Sequence, residues 1–183
     1  MPLLALMLAM FLTQASAWAG AAPGANAGID AFFGTYRGHA PAGADTRAAP
    51  RDLSVTIEPA ADSGFVVSWT TIARGAEGRE TAKSYTIAFR PTQRPGVYRS
   101  AMRANVFGER VPLDPFSGDP FFWARLSGST LSVFALIISD DGGYDLQIYD
   151  RTLGENGLDL VFSRWIDRQQ VAEVRAQLTR VAD

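Results

Sequence analysis

The 183-residue chain contains no cysteine and only one histidine, His39. Without cysteine there is no disulfide, no thiol chemistry and no lipid attached through a cysteine. A Ser-His-Asp triad and most metal sites would have to use His39, which alternation places beside Arg37 on the outer face of a strand. We therefore interpret His39 as a surface residue. Since motifs of hydrolases, zinc proteases and phosphate-binding loops are also missing, we predict no catalytic residue, metal or cofactor.

Lysine is almost absent as well, because Lys83 is the only one among 17 basic residues. The formal net charge of −2 gives no support for a nucleic-acid partner. Arginines are concentrated in one part of the chain, at Arg90, Arg94, Arg99, Arg103 and Arg110. On hairpins, they either form a rim that attracts an anionic head group or belong to ordinary solvated faces. The arginine bias, with abundant alanine and glycine, suggests a GC-rich bacterial genome.

The N-terminus has the pattern of a secretory signal peptide. Residues 3–12 form an uninterrupted apolar run that is too short to span a bilayer, and an A-x-A cleavage pattern follows at 17–19. We expect residues 1–19 to be removed on export to the bacterial periplasm or the medium, which leaves no membrane anchor. The glycine-rich segment 20–28 is expected to be a flexible lead-in to a single domain at 29–183.

Strict alternation of apolar and polar residues dominates the rest of the chain. In the segment 51–59, Leu53, Val55 and Ile57 share one face and polar residues occupy the other. Turn signals such as Asn156-Gly157 separate successive segments and favour tight hairpins. The other predicted strands are 32–40, 64–73, 83–91, 96–103, 120–126, 130–139, 143–151 and 157–166. About nine strands in the order of a meander are therefore predicted.

Two features complete the predicted fold. The segment Leu131–Ile138 is apolar on both faces and needs an outer cover. After Asp167, a candidate N-cap, Val171, Val174, Leu178 and Val181 recur at spacings of three and four, which predicts an amphipathic C-terminal helix at about 168–181. We predict an all-β fold: a closed antiparallel up-and-down barrel of about eight to ten strands, with this helix packed outside. A two-sheet β-sandwich is the alternative.

The opening strand carries a family resemblance. Gly34-Thr35-Tyr36 is similar to the Gly-x-Trp that begins the first strand of lipocalin and calycin barrels, with Tyr in place of Trp. Those barrels also have an outer helix after the last strand, and an Arg near the end of that strand lies across the Trp. Arg164 stands where such an Arg would be and is expected to stack on Tyr36. The resemblance implies a pocket for a small apolar or amphipathic molecule, open at one end.

Aromatic side chains are the candidate lining of that pocket. Expected within it are Tyr36, Trp69, Tyr85, Phe121 and Tyr144, although a filled core would use the same residues. The proline-rich loop at 111–123, with Phe116 and Trp123, is a candidate portal or a plug. Our first hypothesis is an exported, non-catalytic protein that binds a small apolar or amphipathic ligand. The second is a filled barrel that docks an envelope protein through its arginine rim or apolar loop. An enzyme using carboxylates or tyrosines of the cavity is the third.

Overall fold

A computed structural model describes residues 27–41, 50–75, 79–101, 103–104, 110–111 and 114–182. The predicted signal peptide and residues 20–26 of the lead-in lie outside the described residues. The elements in chain order are the 3-10 turn η1 (Ile29–Phe32), strands β1 (Gly34–Ala40), β2 (Arg51–Pro59), β3 (Phe65–Arg74), β4 (Glu80–Pro91), β5 (Val97–Ser100), β6 (Arg103–Ala104) and β7 (Arg110–Val111), the 3-10 turn η2 (Pro115–Ser117), and strands β8 (Phe121–Ser127), β9 (Thr130–Ile138), β10 (Tyr144–Gly154), β11 (Gly157–Ile166) and β12 (Gln169–Val181).

Ten of these strands form one closed antiparallel barrel. Each strand pairs with its neighbours in the chain, β5 pairs with β8, and β1 pairs with both β2 and β12. The short strands β6 and β7 form a separate two-stranded ribbon. The predicted up-and-down barrel is confirmed, and the sandwich alternative is wrong. Within the described part of the chain, no helix is long and apolar enough to cross a membrane.

The predicted C-terminal helix is wrong, because the segment forms the last barrel strand, β12 (Gln169–Val181). Its alternate residues Ala172, Val174, Ala176 and Leu178 turn inward, whereas the residues between them are exposed. The helical spacing was misleading, since Val171 and Val181 are 42% and 38% exposed. As a strand, this segment supplies backbone hydrogen bonds to both β1 and β11 and removes two free edges that an outer helix would have left.

Among the described residues, no α-helix therefore covers the outer side of strand β9. Its inward residues Leu131, Val133 and Ala135 are buried in the core. On the outer side, the Phe134 ring stacks on Trp123 of β8, with 4.7 Å between ring centroids and 5° between their planes. This contact covers only part of the outer apolar surface of β8 and β9, where Phe121 remains 39% exposed.

The two ends of the barrel differ, and the end at η1 is closed. Phe32 of η1 is fully buried, and the Tyr36 hydroxyl donates to its carbonyl oxygen at 2.8 Å. The Arg180 guanidinium, from β12, lies 4.9 Å from the centre of the Tyr36 ring. It also donates to the carbonyl oxygens of Phe33 and Ala31. Tyr36 therefore seals the floor of the barrel.

The cation on Tyr36 is thus Arg180, and the predicted stacking of Arg164 on Tyr36 is wrong. An arginine of the last strand does lie on the aromatic ring, but the misassigned helix made β11 look like the last strand. Tyr36 and Arg180 are direct cross-strand partners in the β1–β12 ladder. Arg164 lies nearer the other end of the barrel.

Gly38 permits the close approach of β1 to β12. A Cβ atom there would lie 2.2 Å from the carbonyl oxygen of Gln177 and 2.6 Å from the Leu178 side chain. Because the first of these atoms belongs to the backbone, a larger residue would push the two closing strands apart.

Replacing Arg180 by methionine is expected to lower the free energy of unfolding by about 1–2 kcal/mol, because the cation–π contact and the bonds to η1 are lost together. Urea denaturation measures the change. The control is Arg175→Met on the same strand, whose exposed side chain forms an ion pair with Glu173. Equal effects of the two substitutions would contradict the assignment of Arg180 to the floor.

Candidate functional site

A cavity of about 380 Å³ lies inside the barrel at the end opposite η1. Strands β2, β3, β4, β10, β11 and β12 provide its walls, through Arg51, Leu53, Ser54, Val55, Trp69, Thr70, Thr71, Lys83, Tyr85, Gln147, Tyr149, Arg151, Leu160, Phe162, Arg164, Ala172 and Val174. Its mouth is open to solvent, since Tyr85 and Lys83 on β4 are exposed.

Four aromatic side chains in successive contact line the cavity and form a layer from β3 and β4 across the barrel to β10 and β11. Trp69 lies at the centre, with ring centroids 5.1 Å from Tyr85 and 5.2 Å from Tyr149. Tyr149 in turn contacts Phe162 at 4.9 Å. Because Trp69 and Tyr85 are paired across β3 and β4, and Tyr149 and Phe162 across β10 and β11, the strand register itself produces this layer.

Beside the aromatic layer lies Arg151, which also lines the cavity and is only 1% exposed. Its guanidinium carbon is 5.6 Å from the centre of the Trp69 ring and 5.5 Å from that of Tyr149. One long hydrogen bond, 3.4 Å, runs from Nη1 to the carbonyl oxygen of Tyr149. The Nε atom is buried and has no hydrogen-bond partner in the described part of the chain.

Arg164 has a partner, in contrast to Arg151. Its Nε and Nη2 atoms donate to the Asp145 carboxylate at 3.0 Å and 2.7 Å. This bond raises the pKa of Arg164 above its usual value, so Arg164 is a cation at neutral pH. Asp145 therefore neutralises Arg164 near the mouth of the cavity.

Burial changes the acid–base behaviour of two residues in the cavity wall. It lowers the pKa of Arg151 to about 10, against an ordinary value of 12.5. Burial likewise raises the pKa of Tyr149 to about 12. At neutral pH Arg151 is therefore still a cation and Tyr149 is a neutral hydroxyl, which donates to Gln147 Oε1 at 3.0 Å. The site combines an apolar wall with a buried positive charge.

Of the eight residues predicted to line a cavity, three do so: Trp69, Tyr85 and Arg164. Tyr36 belongs to the floor, and Phe116 of η2 is 86% exposed. The other three lie on the outside of the barrel. On β8, Phe121 and Trp123 alternate with the buried residues Phe122 and Ala124 and therefore point outward. On β10, Tyr144 points to the opposite side of the strand from the inward Tyr149.

The predicted arginine rim is likewise outside the cavity. Arg90 alternates with the buried Phe89 and has Asp62 at 3.9 Å, whereas Arg94 is exposed in the β4–β5 turn. Arg99 is exposed on β5 directly opposite Arg90, and Arg103 begins β6, where only the backbone is described. The cations that do line the cavity are Arg51, Lys83, Arg151 and Arg164.

Sequence reasoning missed most of the cavity wall on β10. Gln147, Tyr149 and Arg151 are alternate residues and therefore lie on one face of the strand, which the sequence alone indicates. The opposite face of the strand carries Leu146 and Ile148, which are more apolar and would be placed inside by hydrophobicity alone. An arginine at an inward position also contradicts the expectation that charges face water.

His39 lies on the outer surface, where its Nδ1 contacts Asp52 at 3.0 Å. Asp52 also accepts from Arg74 at 2.6 Å, and these bonds lower the pKa of Asp52. Among the described residues, no cluster of three or more His, Cys, Asp or Glu side chains is arranged to hold a metal ion.

Comparison with known proteins finds no match: no family model, no curated protein and no solved structure is significantly similar to this chain. The closed antiparallel barrel is consistent with a lipocalin- or calycin-like architecture. The cavity is therefore the feature of the molecule that bears on its function.

The buried Tyr149 hydroxyl predicts an alkaline loss of stability. Because its pKa is about 12 in the folded protein and close to 10 when unfolded, its contribution is complete below pH 10 and is lost as the pH rises toward 12. At about pH 11, the wild type is expected to lose about 1 kcal/mol more than Tyr149→Phe, each relative to its own value at pH 9. Urea denaturation across this range measures both proteins, and parallel profiles would contradict the assignment.

Proposed function

We propose that this protein binds a small amphipathic molecule in the interior cavity and performs no chemistry on it. The observation that carries the proposal is an unfilled space of about 380 Å³ within an otherwise packed barrel. That volume is at the lower end of the roughly 300–1,000 Å³ typical of small-molecule sites. The walls combine aromatic rings with a few polar groups, which suits a ligand with an apolar body and one polar end.

The difference between the two ends of the barrel supports this proposal. At the floor, Phe32, Phe65 and Phe89 are completely buried and fill the interior. Toward the mouth, the inward positions of β12 carry the small residues Ala172 and Val174, and these leave room between the walls. A barrel that served only as a rigid scaffold would gain stability by filling this space.

Export to the bacterial periplasm is part of the proposal and rests on the signal-peptide pattern of residues 1–19. A binding protein without disulfides is compatible with that compartment, because closure of the barrel does not depend on cross-links.

A second candidate function, docking to an envelope protein, has its own supporting observation. The outer faces of β8, β9 and β10 carry an apolar patch that is only partly buried: Phe121, Trp123, Phe134, Leu136, Leu146 and Ile148. Exposed apolar surfaces of this kind often mark interaction sites. Phe116 adds a further exposed aromatic side chain at η2.

Native mass spectrometry of protein purified from its own host separates the two functions. If the protein binds a ligand, its native mass should exceed the mass of the polypeptide, and the excess should be lost on denaturation. Apo protein in a stable complex with another polypeptide would instead reverse the order of the two candidates.

A substitution that fills the cavity, compared with the same substitution on the outer surface, tests whether a ligand binds there. Ala172→Phe adds a ring inside the cavity and is expected to weaken binding of the neutral apolar dye Nile red at least about tenfold, since a sterically blocked site loses its apolar contacts. Val171→Phe adds the same ring at the adjacent, exposed position and is the control. Fluorescence titration measures both variants. Equal dye affinity in the two would show that the dye binds elsewhere.

A further inference from the structure

Arg151 is a buried cation without an anion. Among the described residues no carboxylate pairs with it: the neighbouring Asp150 bonds Ser132 instead, and Asp145 bonds Arg164. Its Nε atom has no hydrogen-bond partner, and its contact with the Tyr149 carbonyl oxygen is long at 3.4 Å. Buried charges in folded proteins are normally paired, so an isolated one requires an explanation.

The aromatic contacts compensate for only part of this burial. Cation–π interactions with Trp69 and Tyr149 stabilise the guanidinium, but they do not satisfy the hydrogen-bonding capacity of Nε. A methionine, although shorter, would occupy most of the same space without a buried charge, and replacements of buried charges by apolar residues are often neutral or stabilising. The arginine is therefore an unfavourable choice for stability alone.

The other charged side chains of the cavity add to the positive charge of Arg151. Four cationic side chains line it, and Asp145 neutralises one of them, Arg164. Lys83 and Arg51 have no ion pair within the described residues and lie on β4 and β2. The cavity thus has a positive potential that attracts an anion toward its interior.

We propose that the ligand is an amphipathic anion whose acid group pairs with Arg151 while its apolar body lies against the aromatic layer. This inference rests on the proposed function and specifies its ligand class. A carboxylate, phosphate or sulfate group can accept two parallel hydrogen bonds from a guanidinium, including one from the unsatisfied Nε. Lys83 and Arg51 would attract the anion to the mouth, and Arg151 would hold it.

The burial of Arg151 also specifies how the acid group arrives. Although Arg151 lines the cavity, the residue is only 1% exposed, because the Trp69 and Tyr149 rings lie against its guanidinium. One of these rings must move when an anion binds. Binding is therefore expected to change the fluorescence of Trp69, and this change should be absent in Trp69→Phe.

Three ligands with ten carbon atoms each test the proposal: decanoate, decyl phosphate and the neutral decanol. Isothermal titration calorimetry of the full-length mature protein is expected to show at least one anion binding about tenfold or more tighter than decanol, the range of a charge-assisted hydrogen bond. In Arg151→Met this preference should fall below about twofold while decanol still binds. The control, Arg125→Met, removes an exposed arginine from the outer face of β8 and should retain it.

The outcomes separate the two proposals. Equal binding of decanol and both anions by the wild type, or an undiminished preference in Arg151→Met, would overturn the anion proposal but not ligand binding. Failure of all three ligands to bind would overturn both. The relative affinities of decanoate and decyl phosphate distinguish a carboxylate from a phosphate head group.

Thermal melting of the ligand-free protein gives an independent readout. If Arg151 serves a ligand, Arg151→Met is expected to melt at the same temperature as the wild type or higher, because it removes an unpaired buried charge. A lower melting temperature would assign Arg151 a structural role and contradict the proposal.

Discussion

The hydrogen-bonded pairing of β1 with β12 is the constraint on which the rest of the structure depends. It joins the first strand of the domain to the last and converts a meander with two free edges into a closed barrel. Closure defines an inside, and only then do alternate residues of distant strands meet. The aromatic layer takes its residues from β3 and β4 in the first half of the chain and from β10 and β11 in the second half. Neither half of the chain would enclose it alone.

Individual residues also stabilise the closure of the barrel, one through close backbone contact and one through its charge. Gly38 lets the two strands approach, and Arg180 connects β12 to the carbonyl oxygens of η1 and to the face of Tyr36. The floor of the barrel is consequently a dense assembly of aromatic rings with satisfied polar groups. The cavity wall differs, because Arg151 is a buried cation there whose Nε atom has no hydrogen-bond partner among the described residues.

The fold was largely predictable from the sequence because a half-buried strand leaves a period of two in its residues. This signal identified β1, β2, β3 and the hairpins that follow. It failed at β12, where Val171 and Val181 imitated a helix although Ala172, Val174, Ala176 and Leu178 alternate perfectly. Alanine is a weak hydrophobic marker, so the helical pattern looked stronger than the correct one. Which strand closes the barrel is decided by long-range pairing, and no local pattern encodes that choice.

The candidate site was less predictable, for a related physical reason. Trp69 and Tyr85 were identified because they are aromatic residues that lie on the same face as the apolar residues of their strands. Arg151 was missed because charge is expected at the surface, and the apolar outer residues Leu146 and Ile148 favoured the opposite orientation of β10. Polar residues inside a barrel and apolar residues outside it reverse the usual rule. Such reversals are expected where a protein meets a ligand or a partner.

The unequal filling of the two ends implies unequal local stability. The first seven residues of β4, Glu80–Thr86, are exposed even where they turn inward, whereas the same strand is fully buried at Phe89 near the floor. Backbone amides at the mouth should therefore exchange their hydrogens through small local openings, while those at the floor exchange only when the whole domain unfolds. The mouth is thus the part of the barrel expected to open most readily, while the floor stays intact.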